Sequence, residues 1–215
     1  MQKLTNVPWP IYIKYGLIKR SRFFVNLFYK LVLLTTPVWK DIKNFKKQIK
    51  KHKQFRGTYG MYAKFYIIYN TVRTLKPEYI LECGSGISTI IIARAIKENN
   101  YGTLISMEEY ETFGKIISEI AGNSVQMHIS ETEETTYDGI SGIKYKNIPN
   151  YPYTLIFIDG PTTKTVDLDA FYLLEKYPKA KILIDCRVPT IRALQTKYQG
   201  GYHQFTNMGY INFQS

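Results

Sequence analysis

Apolar residues recur along this chain in three rhythms. Over 40–56 they stand three and four apart, at Ile42, Phe45 and Ile49. That spacing collects them on one face of a helix and leaves the surrounding lysines on the others. Over 61–75, Tyr62, Phe65, Tyr66, Tyr69 and Val72 repeat the pattern, and Pro77 ends it. An apolar helix is predicted over 20–34, stopped before Pro37 because the residue preceding a proline disfavours helix. Pro8 and Pro10 frame Trp9 in an extended or turn-like start, and Gly57 and Gly60 mark a break. Beyond Pro77 short apolar runs alternate with helical stretches. Strands are predicted over 79–82, 103–107, 125–129, 153–158 and 181–184, and helices over 88–97, 111–120, 167–177 and 190–198. The end reads as two strands, 202–206 and 210–213, joined at Asn207-Met208-Gly209.

Strands alternating with helices imply a mainly parallel sheet covered on both faces. The expected fold is therefore a three-layer α/β/α sandwich with a seven-stranded sheet, an antiparallel C-terminal hairpin and a helical N-terminal extension. The expected division is 1–57 for the basic, aromatic extension and 58–215 for the Rossmann-like domain. At 215 residues the chain is long enough for one full core, and 45% hydrophobic with 21% charged residues fits a globular protein. Cys83 and Cys186 are too few for a disulfide framework or a cysteine metal cluster, and a reducing compartment follows. No signal peptide is expected, and the apolar run over 23–34 is shorter than the roughly 20 residues a membrane span needs.

The stretch richest in chemistry is Leu81-Glu82-Cys83-Gly84-Ser85-Gly86-Ile87-Ser88-Thr89, a strand running into two glycines and then a helix. In an open α/β sheet, ligands bind at the carboxyl ends of the strands. A dinucleotide site wants G-x-G-x-x-G with pyrophosphate on the helix N-terminus. Here Thr89 stands where the third glycine belongs, and Glu82 precedes the first. A carboxylate there suits a cationic ligand such as S-adenosylmethionine, which has a sulfonium, an ammonium and no phosphate.

This stretch resembles the first motif of class I S-adenosylmethionine-dependent methyltransferases. The resemblance implies that Glu82 reaches the methionine end of the cofactor, wrapped by Gly84, Ser85 and Gly86, with Ser88 in the late small-residue place. Leu104-Ile105-Ser106-Met107-Glu108-Glu109 looks like the second motif. It implies that Glu108, or alternatively Glu109, binds the ribose hydroxyls. Leu155-Ile156-Phe157-Ile158-Asp159-Gly160-Pro161 resembles the fourth-strand motif. It implies that Asp159 lies beside the methyl donor and orients the acceptor or takes its proton, so Asp159 is both a cofactor neighbour and the candidate catalytic residue. This motif differs from that of enzymes that methylate base amino groups. Some relatives pair this acid with a second, here Asp185, to hold a divalent metal, and usually follow it with Asp or Asn. Cys186 stands there instead, so no metal site is assigned. The similarity covers roughly 61–215.

The resemblance leans toward O-methylation of a small-molecule, sugar or lipid-linked acceptor. A net charge of +12, with Lys40, Lys43, Lys46, Lys47, Lys50, Lys51, Lys53 and Arg56 in one stretch, favours an anionic partner. An anionic membrane surface meeting residues 20–56 is one reading, a solvated helix face is another, and nucleic acid has no supporting module motif. The expected location is cytoplasmic, free or peripheral at a membrane. A nicotinamide-dependent oxidoreductase and a non-catalytic scaffold with the same fold are the competing readings. Ser130 (an adenine contact or a turn serine) and His203 (a base or a strand residue) are further candidates.

Overall fold

The computed structural model describes residues 18–52, 61–162, 164–203 and 206–213, with side chains from Phe23 onward. The expected turn at Trp9 and the break at Gly57 and Gly60 lie outside these residues. Three helices come first: α1 (Ile18–Leu34), α2 (Val38–Ile49) and α3 (Tyr62–Leu75). Then β1 (Tyr79–Cys83), α4 (Ile87–Asn99), β2 (Thr103–Glu108), α5 (Glu111–Ala121) and β3 (Val125–Ile129) alternate. A polar hairpin, β4 (Thr132–Tyr137) and β5 (Ile140–Tyr145), precedes β6 (Leu155–Ile158) and the short β7 (Val166–Asp167). The chain continues through α6 (Asp169–Lys176), β8 (Lys181–Asp185), α7 (Val188–Leu194), β9 (Gly200–His203) and β10 (Met208–Ile211).

The main sheet has seven strands in the order β3-β2-β1-β6-β8-β10-β9. β1, β2, β3, β6 and β8 run parallel, and β10 inserts antiparallel between β8 and β9. The chain order reverses between β1 and β6, which makes the carboxyl ends of these two strands the switch point where an α/β sheet opens a crevice.

Side-chain alternation assigns the two faces. Ile80, Leu104, Leu155, Phe157 and Leu183 pack under α1, α2, α3 and α4, together with Leu33, Val38, Ile42, Phe65 and Ile68. Leu81, Ile105, Ile156, Ile158, Ile182 and Ile184 face α6, α7 and the hairpin, where Phe171, Leu174, Ile191 and Tyr145 fill the layer. The apolar stripe of α2 is buried as its spacing requires, through Val38, Ile42, Phe45 and Ile49. Asp41 of α2 also grips Arg94 of α4 with two hydrogen bonds, Nε to Oδ2 at 2.5 Å and Nη2 to Oδ1 at 2.9 Å. The first two helices thus share the core of the sheet.

Three expectations change. The hairpin β4–β5 and the strand β7, which form a second three-stranded sheet, were not anticipated. Asp167 consequently ends a strand, and the helix begins at Asp169, because β7 pairs with β5 through Val166 and Asp167. In the terminal hairpin, Met208 and Gly209 belong to β10 and pair with His203 and Tyr202, so the turn lies earlier than Asn207-Met208-Gly209. Gly209 belongs inside that strand for lack of room: a Cβ there would stand 2.5 Å from Ile191.

Candidate active site

The crevice is built from the ends of β1, β2, β6 and β8. Glu82 is fully buried near the end of β1, opposite Ser106 of β2 and Phe157 of β6. Its Oε2 accepts from the Thr89 and Ser106 hydroxyls, each at 2.6 Å. Its Oε1 is buried with no hydrogen-bond partner among the described residues. Burial raises the carboxyl to about 7, against the relief offered by the Ser106, Ser88 and Thr89 hydroxyls. The Ser88 hydroxyl stands close enough to ease that charge but does not satisfy Oε1. A buried acceptor without a donor is costly unless a ligand supplies one.

The turn after β1 has a backbone that few other residues permit. Gly84 sits at φ +91°, and a Cβ there would stand 2.5 Å from the Gly160 nitrogen and 2.8 Å from the Asp159 carbonyl carbon. The ends of β1 and β6 touch backbone to backbone at this point. The Asp159 N–H closes the contact by donating to the Cys83 carbonyl at 2.8 Å. Gly86 is different: it is extended, and a Cβ would meet nothing within 4 Å. The Gly86 N–H donates to Thr89 Oγ1 at 2.9 Å, and that hydroxyl in turn donates a hydrogen bond to Glu82. One threonine therefore ties the turn, the helix start and the buried acid together.

Glu108 closes β2 and is also buried. Its Oε2 accepts from the Ser85 hydroxyl at 2.5 Å and the Ser85 N–H at 3.2 Å, and its Oε1 accepts from the N–H groups of Glu109 and Tyr110, both at 3.0 Å. All four lone-pair positions of the carboxylate are engaged, so it is held in a fixed orientation. Burial raises its pKa while these donors favour the charged form. Glu109 turns elsewhere and accepts from the Thr162 N–H at 2.8 Å, tethering the loop after β6.

Asp159 follows β6 and Asp185 ends β8. The preceding pair, Ile158 and Ile184, are register partners, so the two acids stand side by side. Asp159 is exposed at the crevice surface, yet dense protein around it and the neighbouring Asp185 push its carboxyl upward, opposed by Arg187 and Lys64. Water reaching that exposed surface works against the full shift. Arg187 Nη2 donates to the Asp159 carbonyl at 2.6 Å.

Sequence reasoning missed Lys64. Its stem is buried in α3 on the stripe that holds Ile68 and Val72, and its ammonium donates to Asp185 Oδ1 and, at 2.8 Å, to Cys186 Sγ. A charged residue within an apolar stripe was the available signal. It also missed Thr89 and Ser106 as partners of Glu82. Ser130 is used locally: its hydroxyl donates to the Glu131 carbonyl at 3.0 Å and accepts from the Asn147 N–H at 3.2 Å. His203 lies across β10 from Asp185, with Nδ1 3.0 Å from Thr206 Oγ1. Cys83 and Cys186 are both free, on β1 and after β8, with β6 between those strands. Among the described residues no group of three His, Cys, Asp or Glu side chains is arranged to hold a metal.

Comparison with family models matches residues 81–184 to a methyltransferase domain. The fold of the chain agrees. An O-methyltransferase from Bacillus cereus solved with SAH has a TM-score of 0.59 at 16% identity, over 89% of this chain and 97% of that one. The O-methyltransferase TomG of Streptomyces achromogenes, solved with SAM, has a TM-score of 0.56 at 14% identity, over 90% and 96%. A putative caffeoyl-CoA O-methyltransferase from Staphylococcus aureus has a TM-score of 0.60 at 12% identity, over 89% and 99%. Comparison with curated proteins yields no match. The methyltransferase domain so matched begins inside β1 and ends inside β8, and it contains Glu82, the glycine turn, Glu108 and Asp159.

Proposed function

We propose that this methyltransferase transfers the methyl group of S-adenosylmethionine to a hydroxyl oxygen of a small-molecule, sugar or lipid-linked acceptor. The observation that carries the reading is the unpartnered Oε1 of Glu82, a buried anion beside an open glycine turn. It fits the ammonium of the cofactor's methionine end. Gly84, Ser85, Gly86 and Ser88 form the wall around that end, and Glu108, at the end of the neighbouring strand, meets the ribose hydroxyls once they displace the Ser85 donors that occupy its Oε2 in the ligand-free protein. Two acceptor oxygens suit two vicinal donors. O-methyltransferases of the same fold, solved with SAM and with SAH, support the donor and the oxygen acceptor.

The cofactor supplies an activated methyl group. With that cofactor bound, Asp159 would orient the acceptor hydroxyl toward the methyl group and take its proton as the oxygen is methylated. A carboxyl raised toward neutral pH is suited to taking and releasing a proton there, and most of the rate comes from proximity and orientation. The nicotinamide reading is weaker because the Gly86 N–H that would meet a pyrophosphate is already committed to Thr89.

The N-terminal extension adds a surface. Phe23, Phe24, Leu27, Phe28, Leu31 and Leu34 of α1 are exposed, while Lys40, Lys43, Lys47, Lys50 and Lys51 are exposed on and just beyond α2. Apolar side chains beside a basic face suit shallow docking on an anionic membrane, which would present a lipid-linked acceptor. No described helix is long and apolar enough to cross a membrane.

Calorimetry with S-adenosylmethionine and S-adenosylhomocysteine, with nicotinamide dinucleotides as controls, tests the donor. Saturable binding of the sulfur ligands alone is expected. Binding of neither would overturn the reading.

A further inference from the structure

The acid pair at the ends of β6 and β8 is where a divalent metal would be held in this fold, and the donor set does not fit one. Mg2+ takes hard oxygen ligands in near-octahedral order. Here the third position is the thiol of Cys186, a soft donor. One carboxylate oxygen of Asp185 already accepts from the Lys64 ammonium, which also donates to the Cys186 sulfur. Lys64 is itself buried, with a relative exposure of 6%.

The charges agree with the geometry. Asp159 and Asp185 contribute two negative charges. Lys64 bonds one of them directly, and both Lys64 and Arg187 favour the charged form of the other. Lys64 and Arg187 already stand against this acid pair, so a divalent ion would find no uncompensated pair of anions to attract it. Lys64 comes from α3, ahead of the matched domain, and its burial on an apolar stripe has no packing rationale other than this pair.

We propose that the Lys64 ammonium is the built-in cation of this active site, standing in place of a divalent metal, so that the methyltransferase neither binds nor needs one. The proposal rests on the methyltransferase reading, and the two are separated by measuring S-adenosylhomocysteine binding on every sample.

The probe is Mn2+, followed by the loss of its free-ion electron paramagnetic resonance signal, titrated into protein saturated with S-adenosylhomocysteine. Wild type is expected to leave the signal undiminished. Cys186→Asp alone, which restores an oxygen ligand but keeps the ammonium, is expected to do the same. Lys64→Ala combined with Cys186→Asp is expected to take up one Mn2+ per chain, and Asp185→Asn added to it should abolish the uptake. One-site uptake by wild type, lost in Asp185→Asn, overturns the proposal without touching the cofactor reading. Absence of uptake by the double variant, with S-adenosylhomocysteine binding intact, overturns it as well, because Lys64 would then not be filling a cation position. Should the double variant fail to fold, the wild-type and Cys186→Asp titrations still decide, since uptake by either refutes it.

Discussion

Glu82→Gln separates what this carboxylate does for binding from what it costs the fold. In the ligand-free protein burial moves its ionisation from 4.5 to about 7. The native state then keeps a proton that the unfolded chain has lost, so stability falls as pH rises from about 4.5 through 7 and the loss is complete above that. A displacement of this size corresponds to about 3 kcal/mol. Glutamine removes the pH-dependent loss. Its carbonyl can accept from Thr89 and Ser106, but its amide takes the place of the unpartnered oxygen and is left without an acceptor, a pH-independent cost of about 1–3 kcal/mol. The variant should therefore melt below wild type near pH 4.5 and draw level with it or pass it above pH 7. Relative to wild type that is a gain of roughly 6–12 °C across the window, at about 2–4 °C per kcal/mol for a chain of this size. Cofactor binding should move the other way. Loss of a hydrogen bond between charged groups is worth about 1.5–3 kcal/mol, or roughly 10- to 150-fold in the affinity for S-adenosylhomocysteine above pH 7. Wild-type affinity should rise with pH up to 7 while the variant's stays flat. Melting curves and calorimetry at about pH 5, 6 and 8, on both sides of the shifted ionisation, measure both. A melting difference that ignores pH would refute the burial argument, and equal affinities above pH 7 would remove Glu82 Oε1 from the cofactor site.

Four further perturbations probe other parts of the site and the N-terminal surface. Gly84→Ala combines a left-handed backbone with a Cβ 2.5 Å from Gly160, and should lower stability by about 3 kcal/mol in chemical denaturation. Gly86→Ala, with open space around its Cβ, should leave the denaturation midpoint nearly unchanged while weakening S-adenosylhomocysteine binding; an equal stability loss in both would refute the distinction. Thr89→Val removes the link from Gly86 to Glu82, and should raise the pH above which the cofactor binds tightly, read from calorimetry across pH. Replacing Phe23, Phe24 and Phe28 together by Ser should abolish cosedimentation with vesicles containing phosphatidylserine and leave the melting temperature unchanged, because these rings are exposed. A variant that still cosediments would count against the membrane reading. Deleting 1–56 is a poorer test, since Leu33, Val38 and Ile42 belong to the core.

The parallel strands were legible because they are buried on both faces and so read as unbroken apolar runs, as in Leu155–Ile158. The polar hairpin was not, because its strands are half exposed and carry little apolar signal. Its turn was visible all the same: Asp138 and Gly139 both take positive φ, 47° and 79°, and Asp-Gly is a strong hairpin signal. In the site, the residues carried by local motifs were legible, since a glycine turn and its flanking acid lie within a few positions. Lys64 was not, because it reaches Asp185 and Cys186 across more than a hundred residues, and only the folded sheet brings them together.

That long reach bears on where the working unit begins. The recognisable segment runs from residue 81 to 184, yet Asp185, one residue past its end, takes its counterion from α3. A chimera that carried an exchange of this segment one residue further, through the end of β8, would part Lys64 from the carboxylate it bonds. Grafts at this fold should therefore be cut upstream of Tyr62, so that Asp185 keeps the helix that carries its counterion.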